Sequence, residues 1–588
     1  MADCLSLGRM DTARTLGKNR HVRELPAFRF RAREGNVESR PPKTLSATPS
    51  ATLSPTLSAR GSARIAATVL LGVLSLFVAW ASVAAIPWEE ADENALVATA
   101  ARIASNGDAA IPNDHPLRYS SLQLVENQTG TLYSKYPIGY PLLVAAAWKV
   151  GGIDAALLLN PFLYIAAVGA MFLLGLRLGG TGAAICAALL FATHPTVAFL
   201  SGLAFNYMAA WTCSLWALVV AWRWKDRGGV ALAIAAGLLT GFAVSIRAPQ
   251  ILLAFPLTAL ACARLKETGL SPAFARQSTA GLAAVLVGLA PTAIHQAVAF
   301  GSPWITGYSL TGETSGGLRS DMIAEHAGLF ASQALATGVL PTMIIGTVAV
   351  LASLRRRNLE ALVLSLWALP SFCLGLAWYH RTGSPHMDLR LFVPVFAPLA
   401  LAAASALASF GRAPRQMAIV TIATILLVAT PSFYSAQLIA FRRDGLTRSR
   451  TLYDQVGEQV PDGSVLFVSD SIGALLDASA RWKVYDLAHG SDAARALRDS
   501  LEKDGPSPGQ RMRFERLAQL WSDPTAMTSS AVKLALAAHT EGISVFSIEG
   551  KAGATLRYAL GVGLTPQFRA ELPVLGKRGA LYEFVDRE

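Results

Sequence analysis

Apolar residues in this chain come in blocks of about 20, and that spacing constrains the fold more than any motif does. A helical block of this length crosses a hydrocarbon core of roughly 30 Å. Inside lipid every backbone N–H and C=O needs a partner within the protein, so the blocks must be helices. They fall at about 64–86, 154–176, 180–200, 205–223, 229–247, 249–264, 280–300, 332–354, 359–378, 389–409 and 416–438, which predicts eleven transmembrane helices. The composition agrees. The chain is 53% hydrophobic and 15% charged, whereas soluble proteins carry about a quarter charged residues. A polytopic α-helical membrane protein is the expected fold class.

Charge sets the orientation. Residues 1–64 hold 12 Lys/Arg against 5 Asp/Glu, more than half of the net excess of +12. This tail is rich in Ser, Thr, Pro and Arg and lacks apolar periodicity, so 1–63 reads as disordered and cytoplasmic, with no nucleic acid expected as partner. Its polar length before the first block is unlike a signal peptide. Arg177, WRWKDR (222–227), RLKE (264–267), RRR (355–357) and GRAPR (411–415) should also be cytoplasmic. They share one side if the short run 140–152 is re-entrant or interfacial. The outer side then receives 87–153, 301–331, 379–388 and everything after about 439. This predicts a multi-pass protein of the cytoplasmic (inner) membrane with a transmembrane domain at 64–440.

Residues 441–588 change character. VLFVS (465–469), WKVYDL (482–487), ISVFSI (543–548) and ALYEFV (580–585) read as strands, and RALRDSLEKDG and FERLAQLW as helices. A small extracytoplasmic α/β domain follows. No G-x-G-x-x-G follows a strand, and no internal repeat points to an inverted-repeat transporter. None of the five cysteines forms a C-x-x-C pair, and four lie in apolar runs, so they are expected to act as buried small hydrophobes.

After the first block, the stretch EEADENALVATAARIASNG (89–107) has helix formers, acids in its first turn and Gly107 at its end. Acids there are favoured by the helix dipole, by about 0.3–1 kcal/mol each. Glu89 also shares a helix face with Asp92 and Glu93, so carboxylates can converge where a base or a divalent metal would be placed. LYSKYPIGYPLL (132–143) follows, a rigid irregular turn with Lys135 between Tyr133 and Tyr136. Lys135 suits either an interfacial anchor or a ligand for lipid phosphate. Arg247 is expected at the outer end of a span, where snorkelling and phosphate binding are both open to it, and Arg390 begins another. Tyr308 and Glu313 lie in a glycine-bearing outer loop with the character of a lid. His380 and His386 read as surface residues.

The order of these pieces resembles the bacterial polyprenyl-phosphate-dependent glycosyltransferases of the GT-C class, relatives of the protein O-mannosyltransferases and the aminoarabinose transferases of lipid A. ADENALVATAARIASNGDAAIP (91–112), YSKYPIGYPLL (133–143), GLLTGFAVSIRAP (237–249), FGSPWITGY (300–308) and DLRLFVPVFAPLAL (388–401) carry it, across roughly 65–410. The family has proline directly after its loop lysine, where this chain has Lys135-Tyr136-Pro137. The aminoarabinose transferases have arginine where this chain has Ala95, so the resemblance extends to neither their sugar nor their acceptor.

The resemblance implies a hexosyl- or pentosyltransferase with its active site on the outer membrane face. The donor would be a polyprenyl-phosphate sugar, and the acceptor a glycan, lipid or protein hydroxyl. Asp92, with Glu93 beside it, would act as base. Lys135, Arg247 and Arg390 would stabilise the leaving phosphate, and Glu89, Tyr136 and Tyr308 would contact substrate. No cofactor or metal is expected, since no His or Asp cluster completes a metal shell. Two other classes stand beside it: a transporter or flippase of lipid-linked sugars, and an inactive assembly protein. Charges at outer helix ends rather than midspan favour the enzyme.

Overall fold

The computed structural model describes residues 91–113, 115, 123–310, 318–378, 388–410, 414–468, 476–477, 481–486, 524–549, 564–573 and 579–586. The expected tail, the first span, Glu89, Glu313, His380, His386 and the two helices expected at 495–505 and 514–521 lie outside these residues.

Helix α1, Ala91–Asn106, carries Asp92 and Glu93 in its first turn and stops at Gly107, whose φ of +80° closes the helix in the left-handed region. It is no surface helix: Ala95, Leu96 and Ala100 are fully buried. Strands β1 (Leu124–Glu126) and β2 (Leu132–Ser134) form an antiparallel hairpin that delivers the chain to Lys135. Helix α2, Gly139–Ala192, bends at the glycine pairs 151–152 and 179–180, where Gly152 and Gly180 take positive φ. The run 140–152 is thus a helical arm of about 18 Å, too short to span.

The block expected as one span at 180–200 is broken. Pro195 starts a short helix, α3 (Pro195–Ser201), and pre-proline His194 is extended, with ψ 122°. α3 is bent by 113° from α4, Asn206–Arg227. Likewise 332–354 is not straight: Ser320–Ala336 and Leu340–Leu354 meet at 114°, around Gly338 with φ +75°. Among the described residues six helices are long and apolar enough to cross a membrane, or up to eight if each bent pair is one span. The expected eleven is not reached there.

α4 measures about 33 Å at 1.5 Å per residue, so its two ends define two faces. At its C-terminal end Arg177 pairs with Asp226 at 3.2 Å, Lys225 with Glu267 at 2.6 Å, and Arg264 donates to the Lys225 carbonyl. Three basic segments expected on one side therefore meet. From that end α5 (Val230–Ile246) returns to the opposite face and stops at Arg247. A 3-10 turn, Ala248–Leu253, and α6 (Ala254–Thr268) follow, then α7 (Pro272–Phe300). Gly237 and Gly241 of α5 abut the backbone carbonyls of Gly281 and Val285 on α7, and a Cβ at Gly288 would lie 2.7 Å from the Leu238 carbonyl oxygen. The G-x-x-x-G of the sequence is thus a helix-packing device. Cys262 and Cys373 are exposed on helix surfaces, unlike buried Cys186 and Cys213. In a bundle whose outer surface faces lipid, a small apolar side chain needs no burial.

The last helix of the bundle, α8 (Pro414–Gln459), is 46 residues long, about 69 Å. It outruns any bilayer and leads into a five-stranded sheet. With β3 (Val465–Val468), β4 (Lys483–Asp486), β5 (Val545–Glu549), β6 (Thr565–Glu571) and β7 (Ala580–Val585), the order is β4-β3-β5-β7-β6. β3 runs parallel to β4 and β5, and β7 antiparallel to β5 and β6. Strand β6 and the helix α9 (Pro524–Thr540) were not foreseen. Ala531 and Ala535 of α9 pack against Val465 and Phe467. The other core holds Leu466, Val484, Phe546 and the end of α8, and it reaches Val97 of α1 and Ala204.

Because the α5–α7 approach leaves no room for a side chain, Gly241→Val is expected to destabilise the bundle by about 1–3 kcal/mol through overpacking. Thermal unfolding in detergent, with Gly328→Ala, an exposed helical position where a Cβ meets nothing, as comparison, checks this.

Candidate active site

The site lies at the end of α4 remote from the basic cluster. The loop 202–205 enters it, and its backbone is held by two buried side chains from other elements. The Glu93 carboxylate accepts the Ala204 N–H at 2.8 Å, and the Asn160 side chain donates to the carbonyls of Leu203 and Phe205, the latter at 2.8 Å. Glu93 is fully buried and Asn160 is 1% exposed. Buried backbone groups off the helical ladder need such partners.

The loop delivers Asn206 and Tyr207. Asn206 donates to the Ile246 carbonyl and accepts from the Arg247 guanidinium, both at 3.4 Å. The Arg247 guanidinium lies over the Tyr207 ring, 3.3 Å from its centroid, and that of Arg390 lies 5.5 Å from the same centroid. Two cations share one aromatic ring, attracted by its quadrupole. Arg390 sits in a 3-10 turn, Leu389–Leu391, and is 7% exposed. Asp92 and Tyr136 both act electrostatically on its guanidinium.

Lys135 completes the cationic set. Its ammonium is 5.3 Å from the Tyr136 ring and 5.5 Å from that of Tyr308, and the two rings meet edge to face at 5.6 Å. Glycines make this possible. Gly307 packs on the Lys135 backbone, and a Cβ there would lie 2.6 Å from the Lys135 carbonyl oxygen. A Cβ at Gly139, the glycine of YPIGYP, would lie 2.6 Å from the Ser245 carbonyl oxygen, two residues before Arg247. The two motifs are thus docked backbone to backbone.

Asp92, Lys135, Arg247, Arg390, Tyr136 and Tyr308 come together here, linked through Arg390, Tyr136 and Tyr207. Glu93 does not share the face of Asp92. Asp92 is partly exposed, while Glu93 points into the protein toward Ala204 and Arg442, 3.7 Å away. The expected convergence of the two carboxylates is replaced by a division between the site and its support. Tyr133, expected beside Lys135, instead packs on His295 and Phe300. Burial, and then the charge of Asp108, raise its hydroxyl pKa above the ordinary tyrosine value.

Sequence reasoning missed Tyr207, Asn206 and Asn160. An Asn-Pro pair inside the apolar run LLLNPFLY was a legible signal for Asn160, since a buried amide in lipid needs partners. Tyr207 had no signal, because an aromatic residue at the start of an apolar block also reads as an interfacial anchor. Among the described residues no three His, Cys, Asp or Glu side chains gather in a way that would hold a metal ion. Three cations and one carboxylate at a membrane surface suit an anionic group and a proton acceptor side by side.

The chain has the GT-C fold. It superposes on ArnT from Cupriavidus metallidurans bound to undecaprenyl phosphate with a TM-score of 0.55 and 15% identity, covering 88% of this chain and 97% of that one. The apo state of that protein gives a TM-score of 0.52 at 14% identity, over 89% and 98%. The apo oligosaccharyltransferase of Archaeoglobus fulgidus is a looser match, with a TM-score of 0.44 at 13% identity over 89% and 74%. No family model and no curated protein matches the chain.

Tyr207→Leu removes the shared ring, while Tyr207→Phe keeps it. Binding of radiolabelled dodecyl phosphate is expected to weaken about 2- to 30-fold in the first variant and little in the second.

Proposed function

We propose that the chain is a membrane glycosyltransferase that moves a sugar from a polyprenyl-phosphate donor to an acceptor hydroxyl at the outer face of the cytoplasmic membrane. One observation carries the reading: the Arg247 and Arg390 guanidiniums share the Tyr207 ring at the end of the bundle where Lys135 stands between Tyr136 and Tyr308, and Asp92 lies within electrostatic reach of Arg390. Such a cluster fits a reaction that removes a proton at one point and releases a phosphate at another.

In this reading the acceptor oxygen attacks the anomeric carbon and Asp92 takes its proton. The bond from that carbon to the phosphate oxygen breaks, and the lipid phosphate leaves with the electron pair. A positioned base contributes about 10²–10⁴-fold. Lys135, Arg247 and Arg390 stabilise the growing phosphate charge, and because they are already oriented, little reorganisation is needed as it develops. Tyr136 and Tyr308 wall the lysine and contact the donor. Glu93 supports rather than abstracts. The outer face follows from the basic cluster at the far end of α4, which by the positive-inside rule is cytoplasmic. The fold shared with ArnT, whose structure holds undecaprenyl phosphate, supports a polyprenyl lipid as carrier. Three fixed cations supply the positive charge the leaving group needs, so no divalent metal is required.

The test is transfer from radiolabelled polyprenyl-phosphate sugars in membranes lacking the native copy. Asp92→Asn is expected to lower the rate about 10²–10⁴-fold with donor binding retained. Arg390→Gln is expected to weaken both donor binding and turnover. Equal activity in Asp92→Asn would remove it from the mechanism, and movement of labelled lipid across the bilayer without transfer would replace the enzyme with a flippase. A chelator is expected to leave the rate unchanged. Loss of activity restored by Mg²⁺ or Mn²⁺ would overturn the metal-free mechanism.

A further inference from the structure

Arg442 lies on α8, beyond its apolar part, and is 6% exposed. Its guanidinium stacks 5.4 Å over the Phe199 ring of α3 and reaches the Glu93 carboxylate at 3.7 Å. Among the described residues none of its three side-chain nitrogens makes a hydrogen bond. A buried guanidinium held this way costs free energy that packing alone does not recover, so its place needs a reason beyond stability. Glu93 supplies one. The oxygen that faces Arg442 is the one that accepts the Ala204 N–H. Two residues after Ala204 come Asn206, on Arg247, and then Tyr207, under both guanidiniums.

Further contacts tie the same elements. The Ser435 hydroxyl of α8 donates to the Thr193 carbonyl at 3.0 Å, just before α3. Arg450 of α8 pairs with Asp154 at 3.3 Å. The sheet core extends through Leu452 and Val456 of α8 to Val97 of α1 and to Ala204. The C-terminal α/β domain thus grips the helix that carries Asp92 and the loop that carries Tyr207.

We infer that Arg442, acting through Glu93, is a positioning residue that registers the 204–207 loop and Asp92 against Arg247 and Arg390, and so makes turnover depend on how α8 and the α/β domain are seated. This rests on the glycosyltransferase reading for its kinetic consequence, and on geometry alone for the positioning.

The experiment compares wild type, Arg442→Met, Arg442→Lys and the double variant Glu93→Gln/Arg442→Met in the full-length protein. Two readouts are taken: kcat and donor KM for transfer, and hydrogen exchange of the peptide containing the Ala204 amide. Arg442→Met takes the guanidinium away from the Glu93 carboxylate and is expected to lower kcat about 10- to 100-fold, the scale of a small misplacement of reacting groups, with KM changed less than about 2-fold. The Ala204 amide should exchange faster while the α5–α7 amides do not change, which a general loss of stability would not produce. In the double variant the neutral side-chain carbonyl introduced by Glu93→Gln would still accept the Ala204 N–H and would no longer call for a facing guanidinium, so kcat is expected within about 3-fold of wild type. Arg442→Lys keeps the charge and should stay close to wild type. If Arg442→Met fails to accumulate, the double variant against wild type decides.

A double variant no better than Arg442→Met, a loss confined to KM, or an unchanged Ala204 amide overturns the inference. If wild type transfers no sugar from any polyprenyl donor, the glycosyltransferase reading falls. The exchange then decides the positioning by itself: faster Ala204 exchange in Arg442→Met upholds it, and unchanged exchange overturns it.

Discussion

The hydrogen bond from the Ala204 amide to the Glu93 carboxylate is the contact on which the site depends. The loop at 202–205 is backbone off the helical ladder, buried beside a membrane, and its polar groups must be answered from elsewhere. Glu93 answers the amide and Asn160 the carbonyls. Once the loop is fixed, Asn206 and Tyr207 stand at the start of α4, and the two arginines can share one ring. Glu93 also lies next to Asp92 in the chain, so the bond that sets the aromatic platform sets the height of the site-facing carboxylate as well.

Small residues perform the complementary task. Gly139, Gly241, Gly288 and Gly307 allow backbone to meet backbone where side chains would hold the elements apart. The lysine-bearing turn therefore docks on the end of α5, beside Arg247, and the loop of Tyr308 docks on the turn. Three segments far apart in sequence are brought to one end of the bundle, about 33 Å from the basic cluster at the other end of α4. A charge at a helix end can meet water and headgroups, whereas one at midspan cannot. That separation suits a substrate with an apolar tail and a charged head.

The α/β domain belongs to the same construction. α8 is too long to end with the bilayer, and its outer part shares a core with the sheet, with α1 and with Ala204. Among the described residues the domain contributes none to the cationic cluster, yet it packs on both of the elements that present the cluster's acid and its aromatic platform.

Much of this was legible in the sequence because it depends on local periodicity. Apolar blocks, the acidic first turn ended by Gly107, the basic loops that gather at one end, and four of the five strands follow from residue spacing and turn chemistry. The candidates Asp92, Lys135, Arg247, Arg390, Tyr136 and Tyr308 were also legible, being charged or aromatic groups where charge is costly, in an order that resembled a known class. What only the tertiary structure decided is which of these face each other. Asp92 and Glu93 are adjacent and chemically alike, and the roughly 100° rotation between successive helix residues separates a site-facing carboxylate from a buried one. Nothing in their spacing says which is which, because the answer lies in Ala204 and Arg442, over a hundred residues away. Tyr207 is the same case: its role exists only through two arginines that later elements bring to its ring, and long-range proximity leaves no mark on the local pattern.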